Sequence, residues 1–215
     1  MTLDELTSVI AKRLGNRTDL NDAIQLEMKL AQQNTLERLQ RLPWFLLSDF
    51  SWTVTVPGEQ KIQIPNDFLR EARDGTLWVK STDDEWLMVT KKEFDYLSSL
   101  YGSYVPSDGE RASHYALSGK YFYLFPTPNT GYEVRMRYFQ KDTVMTTGTD
   151  ENLWAEHEPD LLINATGMKM SSYISNKTAM TAFREGYVYA LDQMEKHETA
   201  REMANRDDLS FGGDD

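Results

Sequence analysis

The chain has no cysteine, so disulfides, thiolate metal sites and cysteine nucleophiles are excluded. Histidine is scarce, and His114, His157 and His197 show none of the spacing of a metal pair such as H-E-x-x-H. There is no P-loop, no G-x-S-x-G and no Gly-rich dinucleotide turn. Basic residues are outnumbered: 23 Lys and Arg against 34 Asp and Glu leave a net charge of −11. A conventional nucleic-acid binder would instead show a basic patch. No apolar run approaches the roughly 20 residues of a membrane span. The start, Met1-Thr2-Leu3-Asp4-Glu5, is acidic and amphipathic, unlike a signal peptide. The expectation is a soluble protein made in a cytoplasm.

What is present is enough for a sizeable core. The 215 residues are 40% apolar and 12% aromatic, which fits one domain or one domain carrying a large insertion. Thr2-Leu3-Asp4-Glu5 fits a capping box, and Leu3, Leu6, Ile10 and Leu14 form one face of a helix that Gly15 stops. Thr18 or Asp19 caps a longer second helix to about Leu42, with a stripe of Leu20, Ile24, Met28, Ala31, Thr35, Leu39 and Leu42. Leu26 and Leu30 point elsewhere. Pro43 ends the helix, and Leu42-Pro43-Trp44-Phe45-Leu46-Leu47 reads as an apolar elbow where helices meet a sheet.

From Trp52 the period becomes two. Trp52–Val56 and Lys61–Ile64 around Pro57-Gly58 read as a hairpin, and Thr76–Val79 and Trp86–Val89 as short strands. A short helix, 91–101, and an exposed loop, 104–113, follow. Strands His114–Leu117 and Lys120–Phe125 turn at Ser118-Gly119. The longest strand is Tyr132–Lys141, with Val134, Met136 and Tyr138 inward against Glu133, Arg135 and Arg137.

The last quarter opens on an acidic lead-in, Asp150 to Asp160, with Pro159 at a first helical position. Leu161, Leu162, Ala165, Met168 and Tyr173 give one apolar face. After Ser175-Asn176, the stripe Ala179, Phe183, Tyr187, Ala190, Leu191 and Met194 gives another. The two helices should fold back as an antiparallel hairpin that needs the N-terminal helices to bury its faces. The fold class is α+β: a bundle of N- and C-terminal helices near 3–14, 20–42, 159–174 and 178–202, with a central antiparallel β-rich insertion of five to seven strands. The expected division is 1–49 with 150–203, then 50–149, with 204–215 as a mobile tail.

Several features have more than one reading. The eight acids from Asp192 to Asp215 are a solvated helix face and tail, or a surface that meets a basic partner or repels DNA. His157, between Glu156 and Glu158, belongs to a helix entry or to a surface cation cluster. His197 is in phase with its helix's apolar stripe and reads as packed or dipole-facing. The aromatics of the β region form a small core, a stacking platform or an oligomer interface. Paired carboxylates for sugar hydrolysis would be invisible at this level.

Taken together, the chain resembles the head-to-tail adaptor proteins of short-tailed bacteriophages, also called tail tubular protein A or connector proteins. Four features carry the likeness. They are the helical pair ending Leu42-Pro43-Trp44, the hairpin followed by Ile64-Pro65-Asn66-Asp67-Phe68-Leu69-Arg70, the run Tyr115 to Pro126, and the acidic lead-in to a C-terminal helical hairpin. The resemblance implies a non-enzymatic ring protein of the virion's head-tail junction, without cofactor, metal or catalytic residues. It would dock under the portal protein in a homo-oligomeric ring matching twelve-fold symmetry, extend the DNA channel without specific binding, and receive the tail nozzle protein. The C-terminal segment, with Met203, Arg206, Leu209 and Phe211, would grip the portal. A phage cell-wall or polysaccharide hydrolase and another tail component are the alternatives.

Overall fold

A computed structural model describes the chain except residues 73–74, 81–83, 103, 106–110 and 211–215. In chain order come α1 (Leu3–Arg13), α2 (Asn21–Ala31), β1 (Ser51–Val54), β2 (Lys61–Gln63), β3 (Phe68–Glu71), β4 (Leu77–Lys80), β5 (Trp86–Met88) and β6 (Thr90–Lys91). Then follow α3 (Phe94–Tyr101), β7 (His114–Ser118), β8 (Tyr121–Phe125), β9 (Glu133–Met136) and β10 (Tyr138–Gln140). Helices α4 (Leu153–His157), α5 (Pro159–Tyr173) and α6 (Lys177–Ser210) complete the chain. It is an α+β protein, with helices at both termini and an antiparallel-rich β region between them. Its elements form two units, Met1–Leu46 with Asp142–Asp215, and Leu47–Lys141.

In the helical unit, the Thr2 hydroxyl and Glu5 carboxylate form the capping box of α1, and Leu3, Leu6, Ile10 and Leu14 are all buried. Gly15 and Asn16, at φ 92° and 61°, reverse the chain in the left-handed region that glycine and asparagine tolerate best. The second helix is shorter than its stripe predicts. It leaves α-helical geometry at Gln32, where one wider π turn, Gln32–Leu36, takes over. The buried Gln32 amide there donates to the Asp142 carbonyl (3.1 Å) and the Glu37 carboxylate (3.2 Å), and accepts from Asn152 (3.1 Å). A buried amide must satisfy such bonds, and this network competes with a continued apolar stripe.

The acidic lead-in holds a helical turn that the sequence hid. Asn152 caps α4 by accepting from the Ala155 N–H at 2.8 Å, and Asp142 accepts from the Trp154 N–H at 3.0 Å. These bonds place the segment 142–149, grouped with the β region by the sequence, in the helical unit. Trp154 is fully buried. Burial pushes the Asp142 carboxyl up, against the N–H bonds that lower it.

Pro159 begins α5 as expected, and α5 is the central helix, packing on α1, α2, α4 and α6. After the exposed Asp160, Leu161 to Gly167 are all buried, so nearly two turns of the helix have no wet face. Tyr173, predicted to be inward, is 76% exposed because it falls in the last turn. Two glycines set the close approach of α5 and α6. A Cβ on Gly167 would lie 2.3 Å from the Phe183 ring, and one on Gly186 would lie 2.6 Å from Asn164 Oδ1. Along α6, Phe183, Ala190 and Met194 are buried on the predicted stripe. His197, however, is exposed, and the next residue, Glu198, takes the buried position.

The β unit holds three sheets: β1-β9-β4-β5, β10-β3, and β2-β8-β7-β6. Its pairs are antiparallel except β6 with β7. Among the described residues ten strands, short and distributed over three sheets, replace the expected five to seven. The predicted hairpins β4–β5 and β7–β8 form. The hairpin of β1 with β2 does not: β1 pairs with β9, and β2 pairs with β8. Between them, the Gly58 N–H donates to the Pro128 carbonyl at 2.7 Å, tying that turn to a distant loop. The predicted long strand Tyr132–Lys141 divides at Arg137, whose N–H donates to Thr76 at 2.9 Å; β9 and β10 then enter different sheets.

Val134, Met136, Leu77, Val79, Phe122 and Leu124 form the β core. Asp67, just before β3, and Glu71, its last residue, accept from the hydroxyls of the buried Tyr138 (2.9 Å) and Tyr115 (2.8 Å). Burial, reinforced by Asp67, pushes the Tyr138 phenol up to about 12. The expected loop 104–113 falls partly outside the described residues.

Candidate docking site

Of the residues proposed to grip a partner, Met203, Arg206 and Leu209 fall in the last turns of α6, so the root of that segment is the site to build. It begins at the elbow. Pro43 cannot continue a helix, and the Leu46 N–H donates back to the Pro43 carbonyl at 3.1 Å, closing a 3-10 turn at Trp44–Leu46. That turn directs Phe45 inward and leaves Trp44 half at the surface.

Phe45 meets Trp154 edge-on at 5.2 Å and stacks on the His157 imidazole at 4.9 Å; Trp44 lies 5.1 Å from the same imidazole. The elbow packs on α4 within the helical unit as far as Leu46, and its last residue, Leu47, begins the β unit with a bridge to Phe139, so the chain passes from helices to sheet here as expected. His157 is engaged by rings. Among the described residues no group of three or more His, Cys, Asp or Glu is arranged to hold a metal ion.

Four side chains within little more than one turn, Glu198, Thr199, Arg201 and Glu202, then fasten α6 to the elbow. The Trp44 N–H donates to the Glu198 carboxylate at 3.1 Å, and the Arg201 guanidinium lies 4.0 Å above the Trp44 ring. Arg41 donates to the Thr199 hydroxyl at 2.7 Å and pairs with Glu202 at 2.9 Å. Glu158, at the start of α5, adds negative charge beneath this cluster. Burial raises its carboxyl, with Asp160 and Glu198 adding to the effect and His197 and His157 opposing it.

Beyond Thr199 the helix has no buried residue as far as Ala204. Met203 is 60% exposed. Arg206 and Leu209 lie on the helical backbone of the last turns of α6, while Phe211 is outside the described residues. The helix thus continues through Ser210, where the sequence places the start of a tail at 204.

Arg41, Trp44 and Glu198 are the residues that sequence reading missed. The available signal was spacing: Glu198 follows Met194 by four residues on the buried stripe, so its carboxylate needed an internal donor. Elsewhere on α6, Asp192 and Glu195 are exposed, as a solvated acidic face requires.

Among the described residues, no helix is long and apolar enough to cross a membrane. Comparison with curated proteins finds no match. The family model described as SU10 adaptor protein matches residues 1–208, nearly the whole chain and both of its units. The chain belongs to the SU10 adaptor protein family, a family of phage head-to-tail adaptors.

Proposed function

We propose that this structural phage adaptor assembles as a ring under the portal, extends the DNA channel and receives the tail nozzle, without enzymatic activity. The family match over residues 1–208 carries the reading. The charge supports it: at −11 the chain offers DNA no adhesive surface, which suits passage rather than binding. Subunits would follow the portal's twelve-fold symmetry, because heterologous contacts close into a ring only at the right rotation and a template supplies it. In isolation the protein is largely monomeric, since acidic copies repel and weak lateral contacts do not offset the cost of association.

The segment from Met203, with Arg206, Leu209 and Phe211, is the portal grip, rooted by Arg41, Trp44 and Glu198. Truncation after Met203 tests this. Light scattering with and without portal should show loss of docking, with the far-UV circular dichroism of the rest retained. A truncated chain that still joins the portal would remove the tail as anchor. Turnover of peptidoglycan or polysaccharide that vanishes on mutating an acid pair would overturn the non-enzymatic reading.

A further inference from the structure

The sheet β1-β9-β4-β5 is antiparallel throughout, so its two edge strands, β1 and β5, run in opposite directions. Alternation along an antiparallel pair decides which backbone groups each edge keeps free. The Thr55 N–H donates to the Tyr132 carbonyl, so Thr53 also faces β9, and Trp52 and Val54 turn their N–H and C=O groups outward. The Val89 N–H donates to the Leu77 carbonyl, so Leu87 also faces β4, and Trp86 and Met88 turn outward. Among the described residues none of these outward groups has a hydrogen-bond partner.

Natural edge strands are guarded by charged side chains, proline or bulges. Ser51–Val54 and Trp86–Met88 contain no charge and no proline, and both pair with their neighbours without a shift of register. Trp52, Val54 and Met88 are each more than half exposed, and Leu87 is 48% exposed. The two edge tryptophans lean inward over the sheet, away from the free edges, and their rings meet edge-on at 5.0 Å. The sheet β2-β8-β7-β6 differs on every count. Its parallel strand β6 makes both edges run the same way, and Lys61 and Lys91 stand on them.

We infer that β1 of one copy adds to β5 of a second copy, continuing the sheet from subunit to subunit as the lateral contact of the ring. The occupant is a second copy because one chain supplies both halves of the contact. Opposed edge directions let copies related by rotation join antiparallel, as every pair inside the sheet already does. Straight continuation of the rows sets Trp52 opposite Met88 of the next copy, and Val54 opposite its Trp86. Those four residues are the ones with free outward groups, so each pair exchanges its bonds while the side chains keep to one face. Electrostatics favours the same edges: copies of a chain at −11 repel, and this contact brings no charged strand residue against another. Two different edges meeting in this way make a heterologous contact, the kind that propagates around a ring. Two bonded pairs are few, in keeping with copies that stay apart until a template gathers them. The assignment rests on the ring assembly proposed above, and its test does not use the portal.

In the joined register Thr53 faces Leu87 of the next copy as a non-hydrogen-bonded pair, about 4.5 Å between Cα atoms and within disulfide reach. Within one chain two strands separate them, by about 14 Å, so no internal bridge can form. The chain has no cysteine, so introduced thiols report without background. Chains carrying Thr53→Cys and chains carrying Leu87→Cys are mixed at high concentration and oxidised with copper phenanthroline. The mixed disulfide should exceed self-linking of either chain at least tenfold. Adding Val54→Pro to the Thr53→Cys chain removes one outward N–H and no bond within the chain. It should cut the mixed yield about tenfold, with the circular dichroism unchanged. Should that chain fail to fold, Val54→Lys in the Thr53→Cys chain with Met88→Lys in the Leu87→Cys chain should cut the yield instead, and Val54→Glu with Met88→Lys should restore it. No mixed product, self-linking at equal yield, or indifference of folded chains to the edge substitutions would overturn the assignment. Portal docking by the full chain would still stand in that event, so failure of this contact is distinguishable from failure of the adaptor reading.

Discussion

The two units use charge in different ways. The helical unit carries 21 of the 34 acids against 12 bases, whereas the β unit is nearly balanced at 13 against 11. In the helical unit, Arg17 and Arg41 meet carboxylates at 2.8 and 2.9 Å. In the β unit, Arg135 and Arg137 lie over rings, as Arg201 does over Trp44 in the helical unit. A paired arginine has its charge offset within its own chain, whereas one lying over rings keeps its charge.

The same substitution in each unit sharpens this contrast. Trp154→Ala empties the centre of the helical unit, and we expect about 3–5 kcal/mol of destabilisation, read as a lower urea midpoint of the helical signal. Glu198→Ala leaves the Trp44 N–H without its acceptor and loosens the root of α6. About 1–3 kcal/mol should be lost, with earlier hydrogen exchange in α6. Trp52→Ala removes only the edge-on contact with Trp86 and exposed area, so about 1 kcal/mol is expected in the same urea experiment. If Trp52→Ala were as costly as Trp154→Ala, the distinction between buried interior and exposed sheet face would collapse.

The smallest effect is a dependence on pH. Hydrogen bonds from the Thr147 hydroxyl and N–H, then from Thr146, hold the Asp150 carboxyl far below its ordinary 3.8. An acid lowered by folding contributes stability that is complete above its unfolded value and is lost as pH falls below it. The difference in urea midpoint between wild type and Asp150→Ala should therefore be full at about pH 5 and shrink from about pH 4 towards 2. Asp142, raised by burial, has the opposite sign: its protonation favours the folded state. A difference that stayed constant across that range would rule out the Asp150 contribution.

What could be read from the sequence follows the range of the forces involved. The capping box at Thr2, the start at Pro159 and the stripe through Phe183 and Met194 depend on residues within a few positions of each other, and all three were legible. The pairing of β1 with β9 joins residues about eighty positions apart, and alternation in Trp52–Val56 fits many partners equally well. Helix α4 is too short to show a period, and its cap depends on Asp142, ten residues before it. At the candidate site, Met203 was legible as an exposed apolar residue. Glu198 was not, because an acid among many acids reads as solvated until its donor, the Trp44 N–H, is seen.

The central position of α5 has a consequence for synthesis. Helices α1 and α2 leave the ribosome early, but the helix that covers their apolar faces begins only at Pro159. The β unit, encoded by one uninterrupted stretch, is complete by Lys141 and can mature while the first helices still wait. A nascent chain arrested before α5 should therefore hold folded sheets beside protease-sensitive N-terminal helices, and chaperone demand should peak in that interval.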